Sequence, residues 1–175
     1  MTSPIWRRTG ALLLALTAAT GASAQVSTNR VAANTDWSVF VEESPKECWA
    51  VTAPKETVNS KDGQAVSVRR GDILLFVTYR PGSAEGEVSF TGGYPFASGS
   101  TVTLDIGGTT FDLFTEGEWA WSGSKDDDAK ITAALKAGSS AVLSARSGRG
   151  TQTKDTFSLL GVSAALDEAA KRCAG

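Results

Sequence analysis

Residues Thr101 to Thr115 read TVTLDIGGTTFDLFT. Val102, Leu104 and Ile106 alternate with Thr101, Thr103 and Asp105, the two-residue period of a half-buried strand. A second alternating run starts at Thr109, and only Gly107-Gly108 separates the two. Paired glycines at such a junction signal a tight hairpin, because both tolerate the positive φ that a two-residue connection needs. Strands joined this closely are antiparallel, which sets the fold class.

The same pattern extends in both directions. Upstream, Trp37, Val39 and Val41 alternate with polar partners, Ser44-Pro45-Lys46 breaks the run, and Glu47 to Ala53 resumes it. Pro54 to Gly63 is expected to be a loop turning at Asp62-Gly63, with a short strand at Ala65 to Arg69. Ile73 to Val77 is continuously apolar and predicts a central strand covered on both faces. Gly86 to Thr91 is a further strand, and Gly92-Gly93-Tyr94-Pro95-Phe96 a loop. Downstream, Glu116-Gly117 turns into Glu118 to Ser122. Ala141 to Arg146 and Thr151 to Leu160 form a second hairpin around Ser147-Gly148-Arg149-Gly150.

Two segments change period. Asp126-Asp127-Asp128 places acids at the positive end of a helix dipole, and Ile131, Ala134 and Leu135 follow at helical spacing, predicting a helix over Asp126 to Ala137. After Gly161, the residues Val162, Ala165, Leu166, Ala169 and Cys173 share one helical face. About ten short strands with no regular βαβ alternation favour an all-β sandwich with a short inserted helix and a C-terminal helix; a closed barrel is the competing architecture.

The N-terminus reads as an export signal. Arg7 and Arg8 precede an apolar run, GALLLALTAAT from Gly10 to Thr20, and Ala22-Ser23-Ala24 is a small-x-small cleavage site. The apolar run falls short of the roughly 20 residues that span a bilayer. Residues around the arginines fit a twin-arginine signal poorly, which favours the general secretory route. The expected organisation is therefore a signal peptide at 1–24, a flexible polar leader at 25–35, and a single β-sandwich domain at 36–175. The expected location is periplasmic or secreted, with no transmembrane segment in the mature chain.

Export bears on Cys48 and Cys173, the two cysteines of the chain. In an oxidising compartment two cysteines admit one intramolecular pairing, and a disulfide is expected. Two buried free thiols are the competing reading. The chain has no histidine and a formal charge of −2, and removal of Arg7 and Arg8 makes the remainder more acidic. That balance argues against nucleic acid as partner. Without histidine the usual zinc ligand and the usual neutral-pH general base are both missing, so no metal or other cofactor is expected.

Several strings together resemble one family: Asp36-Trp37, Ser44-Pro45-Lys46-Glu47-Cys48-Trp49, Arg69-Arg70-Gly71-Asp72, Gly92-Gly93-Tyr94-Pro95-Phe96, Glu118-Trp119-Ala120-Trp121, Arg149 to Leu159 (RGTQTKDTFSL) and Lys171-Arg172-Cys173. Over about Asp36 to Cys173 the chain resembles the invasion-associated locus B family of exported bacterial proteins. The resemblance implies an immunoglobulin-like β-sandwich, a Gram-negative envelope location and, from the family's name, a role in invading host cells. It brings no catalytic residues.

Two constellations could carry chemistry. Arg149, Thr151, Gln152, Thr153, Lys154 and Asp155, with Arg146 nearby, combine a turn with hydroxyls, bases and an acid, a set suited to an anion. The competing and favoured reading is a hairpin whose charges face water. Tyr94, Phe96, Trp119 and Trp121 would make an aromatic platform for a sugar or peptide. Here the favoured reading is that Trp119 and Trp121 are inner-face core residues. Glu116 and Glu118 flank the tryptophans but should not converge as a glycosidase pair, because strand side chains alternate. Asp126, Asp127 and Asp128 lack the spacing of a calcium loop. The resulting expectation is a non-enzymatic exported protein that binds an unidentified protein or envelope component. The alternative is a periplasmic small-ligand or glycan-binding module.

Overall fold

The computed structural model describes residues 29–83 and 85–174. The export signal and its cleavage site lie outside them, as do residues 25–28. Among these residues, twelve strands and two helices follow one another in the order β1 Arg30–Asn34, β2 Trp37–Glu43, β3 Lys46–Thr52, β4 Glu56–Lys61, β5 Gln64–Ala65, β6 Leu74–Tyr79, β7 Glu87–Thr91, β8 Thr101–Ile106, β9 Thr109–Glu116, β10 Trp119–Trp121, α1 Lys125–Ala137, β11 Ser140–Arg146, β12 Gln152–Ser158 and α2 Val162–Cys173. The fold is all-β with one internal and one C-terminal helix.

The strands form one sheet in the order β1-β2-β3-β6-β7-β10-β9-β8-β11-β12-β4-β5. Every pairing within it is antiparallel. The Gly107-Gly108 hairpin is as expected, with φ of 60° and 90° at its two glycines and a register running from Thr101↔Phe114 to Ile106↔Thr109. Distant parts of the sheet meet across the core. The Trp37 indole on β2 donates to the Ser158 carbonyl at the end of β12 at 3.0 Å, the Asp36 amide donates to the Leu160 carbonyl at 3.3 Å, and Phe90 on β7 packs edge-on against Phe157 on β12.

Alternation along each strand sends one set of side chains into a single core. Val39, Ala50, Leu75, Val77, Phe90, Leu104, Leu113, Leu143 and Phe157 are all fully buried in it. Helix α2 packs on β1, β2, β3 and β6 with Val162, Ala165, Leu166, Ala169 and Cys173 buried, the five positions that the helical period selects. Cys48 on β3 and Cys173 on α2 are joined in a disulfide. Helix α1 begins at its N-cap Ser124, whose side chain accepts from the Asp127 amide.

Three local expectations are corrected. Residues 30–34, assigned to a flexible leader, form β1 along β2; no apolar alternation announces it, because main-chain pairing at a sheet edge does not require one. The loop expected over Pro54 to Gly63 contains β4, paired with β12 from Glu56 to Ser60. Its one aliphatic side chain, Val58, points to solvent. Finally, the run at Ile73 to Val77 is not covered on both faces. Leu75 and Val77 are buried, while Leu74 and Phe76 on the opposite face are partly exposed.

Candidate functional site

Strand alternation divides the Arg149 to Asp155 segment between two faces. Thr151, Thr153 and Asp155 point inward and are buried; Arg146, Gln152 and Lys154 point outward and are exposed. Arg146 and Lys154 line a shallow hollow with Val58 and Ser60 on the outer face. Arg149, in the turn, lines a different cavity with Thr151, Thr153 and Tyr94. The expectation that the charges of this hairpin face water therefore fails at Asp155, which is 0% exposed.

Arg70 is the reason Asp155 can be buried. Its two terminal nitrogens donate to the two Asp155 carboxylate oxygens at 2.7 and 2.6 Å. Its Nε donates to the Gly92 carbonyl at 2.9 Å, and Nη1 also reaches Asn59 Oδ1 at 3.3 Å. A fork-to-fork pair of this kind satisfies both charges without water. The guanidinium also lies 5.0 Å from the centre of the Tyr94 ring, within the range of a cation–π contact. Tyr94 Oη and Thr153 Oγ1 share a hydrogen bond at 2.5 Å. Burial pushes the Tyr94 phenol above its ordinary value, so the phenol keeps its proton at neutral pH.

Arg70, Tyr94 and Thr153 of this network line a cavity of about 490 Å³, within the range of small-ligand sites. Its walls include Val68, Arg69, Gly93, Pro95, Glu118, Ser147, Gly148 and Arg149. Two backbone segments cross at one side, where the Gly71 amide donates to the Gly93 carbonyl at 2.8 Å. A side chain at Gly93, which has a φ of 72°, would strike the Gly71 backbone, so the crossing needs glycine there. Arg69 and Arg70 are not among the site residues the sequence suggests, and Glu118 is suggested only as a neighbour of the tryptophans; the cavity brings all three together. Nothing local indicates that Arg70 reaches 85 residues along the chain to Asp155.

Trp119 and Trp121 lie elsewhere. Ala120 is the buried residue of β10; Trp119 is 40% exposed and Trp121 partly exposed, both facing outward. The inner-face core assignment is thereby corrected: three residues of W-A-W fit either phase of a strand, and the core selects the small residue. Trp119 stacks on Trp121 at 6.3 Å between centroids, Trp121 on Phe114 at 5.6 Å, and Phe76 tilts against Trp119 at 5.7 Å. The four rings form a ladder across β6, β10 and β9 on the outer face, with Phe114 49% exposed. Tyr94 and Phe96 do not join it; they pack against each other. Trp119 is cross-strand to Glu116, and Asp112 and Glu116 flank Phe114 on its own face of β9.

Glu116 and Glu118 are separated: Glu118 lines the cavity, and Glu116 belongs to the ladder face. Asp128 is occupied structurally, accepting from the Val88 amide at 2.7 Å and from Ser122 Oγ at 2.6 Å. No group of three or more metal-ligating side chains occurs among the described residues. Among the same residues, no helix is long and apolar enough to cross a membrane.

Comparison with known proteins adds the following. The family model for invasion associated locus B (IalB) protein matches residues 37–170. Among solved structures, the chain is similar to the crystal structure of invasion associated protein b from Bartonella henselae. The TM-score is 0.53 at 17% sequence identity, with 79% of this chain and 94% of that chain covered. At that identity the likeness is one of fold. A comparison with curated proteins returns no match.

Proposed function

The chain belongs to the invasion associated locus B family, and from that premise we propose that it is an exported, non-enzymatic domain that binds a macromolecular partner at the cell envelope or at a host surface. Residues 1–24 serve as the export signal, and the remainder acts in the periplasm or outside the cell. The twelve-stranded sheet is read as an immunoglobulin-like sandwich folded over itself. The Phe90–Phe157 contact and the Trp37 bond to Ser158 support that reading, since each joins strands far apart in the sheet order.

The observation that carries the proposal is the outward ladder of Phe76, Trp119, Trp121 and Phe114. Aromatic residues stacked on the solvent face of a sheet contribute little to the core and are enriched at binding surfaces. Asp112 and Glu116 edge the ladder with carboxylates. Rings beside acids fit a partner segment that presents Lys or Arg, through cation–π contact and charge complementarity.

The test places a photo-crosslinking residue at Glu116, beside Trp119, and separately at Lys154 on the far part of the outer face, in the producing cells. We expect a discrete adduct from position 116 that Trp119→Ala abolishes, and none from position 154. Equal adducts from both positions, or an adduct indifferent to Trp119→Ala, would refute the ladder as the docking surface. The alternative, a glycan-binding module, has support from the same exposed rings. It is favoured instead if soluble envelope oligosaccharides shield the tryptophans from acrylamide quenching and no protein adduct forms.

A further inference from the structure

We propose that the cavity between the 147–150 turn and the Arg69–Arg70 segment is a second binding site, for a carboxylate or phosphate group carried on an apolar or aromatic body, with Arg69 and Arg149 as its charge-bearing pair. The site is separate from the aromatic ladder and does not depend on it.

Three observations converge. First, the charge of the cavity is uncompensated. Arg70 is consumed by Asp155, so the pair contributes rigidity and no net charge. Arg69 and Arg149 remain exposed, and no ion pair among the described residues engages either. Against them the lining offers the single carboxylate of Glu118. Of the exposed arginines elsewhere, Arg80 is paired with Glu47 and Glu87 and Arg172 with Glu168; Arg30 and Arg146 have no ion pair among the described residues but take no part in this cavity. Guanidinium groups suit an oxyanion because their planar forks match it bidentately.

Second, the Thr151 hydroxyl is an uncommitted donor on the cavity wall. The residue is 8% exposed and lines the cavity. Its amide is taken by Ser147 Oγ, yet no hydrogen bond between described residues uses its side-chain oxygen. A hydroxyl with no partner in the protein, on the wall of a cavity, can donate to a ligand oxygen. The neighbouring Thr153 hydroxyl is already engaged with Tyr94, so Thr151 is the free one of the pair.

Third, the site is stiff where a ligand body would rest. The Tyr94 ring is held from one side by Arg70 and at its hydroxyl by Thr153. Pro95 and Val68 add apolar wall. A preorganised apolar floor beneath a cationic rim lowers the ordering cost of binding. Arg69 and Arg149 come from segments 80 positions apart in sequence number, so the pair exists only in the folded chain.

The test is an NMR titration of the disulfide-intact protein with phenyl phosphate, with phenylacetate, and with benzyl alcohol as a neutral control of similar shape. Either anionic probe should shift the amides of residues 69, 149 and 151 saturably, and the one that does so identifies the oxyanion; the alcohol should not. Arg69→Gln and Arg149→Gln should each weaken binding by about tenfold, the loss of one charge-assisted contact. Thr151→Val should weaken it with the melting temperature unchanged. Arg146→Gln, on the outer face, should leave it intact. Equal response to the neutral probe, equal weakening by Arg146→Gln, or no saturable shift with either anion at millimolar concentration would overturn the site, and would leave the crosslinking result at position 116 untouched.

Discussion

Asp155 is a carboxylate in the core, and its energetics follow from its one charged partner. Removing that partner strands a buried charge, whereas replacing both groups with apolar ones does not. Asp155→Ala or Arg70→Met alone should therefore cost about 3–5 kcal/mol, and the double variant Arg70→Met with Asp155→Leu should recover most of the loss. Urea denaturation of the three variants measures this; a double variant as unstable as the sum of the singles would contradict it. Asp128 offers a second reading at the same scale. Burial, opposed by the hydrogen bonds from Ser122 and Val88, pushes its carboxyl above the ordinary value of 3.8. The folded protein therefore holds that proton to higher pH than the unfolded chain. The resulting contribution to stability is complete below pH 3.8 and is lost as pH rises through the folded value. Asp128→Asn keeps an acceptor for Val88 and carries no charge, so its stability relative to wild type should improve as pH is raised over that window. Asp128→Ala leaves the buried Val88 amide unpaired and should cost about 1–3 kcal/mol. A wild-type-minus-Asn difference that stays flat with pH would reject the assignment.

Elements with a buried face were legible in the sequence, and those without one were not. The apolar positions of α2 recur at helical spacing, and all five are buried. The hairpins β8–β9 and β11–β12 were marked by glycine-bearing turns between alternating runs. Strands β1 and β4 bury almost nothing and are held by main-chain pairing to β2 and β12, a bond that any sequence can make. The disulfide belongs to this scale because it ties α2 to β3 across a separation of 125 residues. Replacing Cys48 and Cys173 together by Ser should lower stability by about 2–5 kcal/mol, since a cross-link closing so long a loop restricts the unfolded chain strongly. Hydrogen exchange should rise first in the last turn of α2. Unchanged denaturant midpoints would show that burial of the helix face alone secures it.

Over the whole molecule, the candidate sites separate according to the face each strand presents. One stretch, Arg146 to Asp155, supplies the outer hollow with Arg146 and Lys154, the inner cavity with Arg149, Thr151 and Thr153, and the core with Asp155. The sequence by itself determined the all-β class, both helices and the family, because periodicity, turn glycines and ordered strings are local or cumulative signals; it made the pairing of Cys48 with Cys173 the expectation, which the structure bears out. Only the tertiary structure decided which phase of W-A-W enters the core, that Arg70 neutralises Asp155, and that Arg69 and Arg149 meet at one cavity. The physical reason is that a period-two pattern states that two faces exist without stating which one the rest of the chain will cover. Long-range partners add to this, since a buried charge is decided by a group whose position no neighbouring residue encodes.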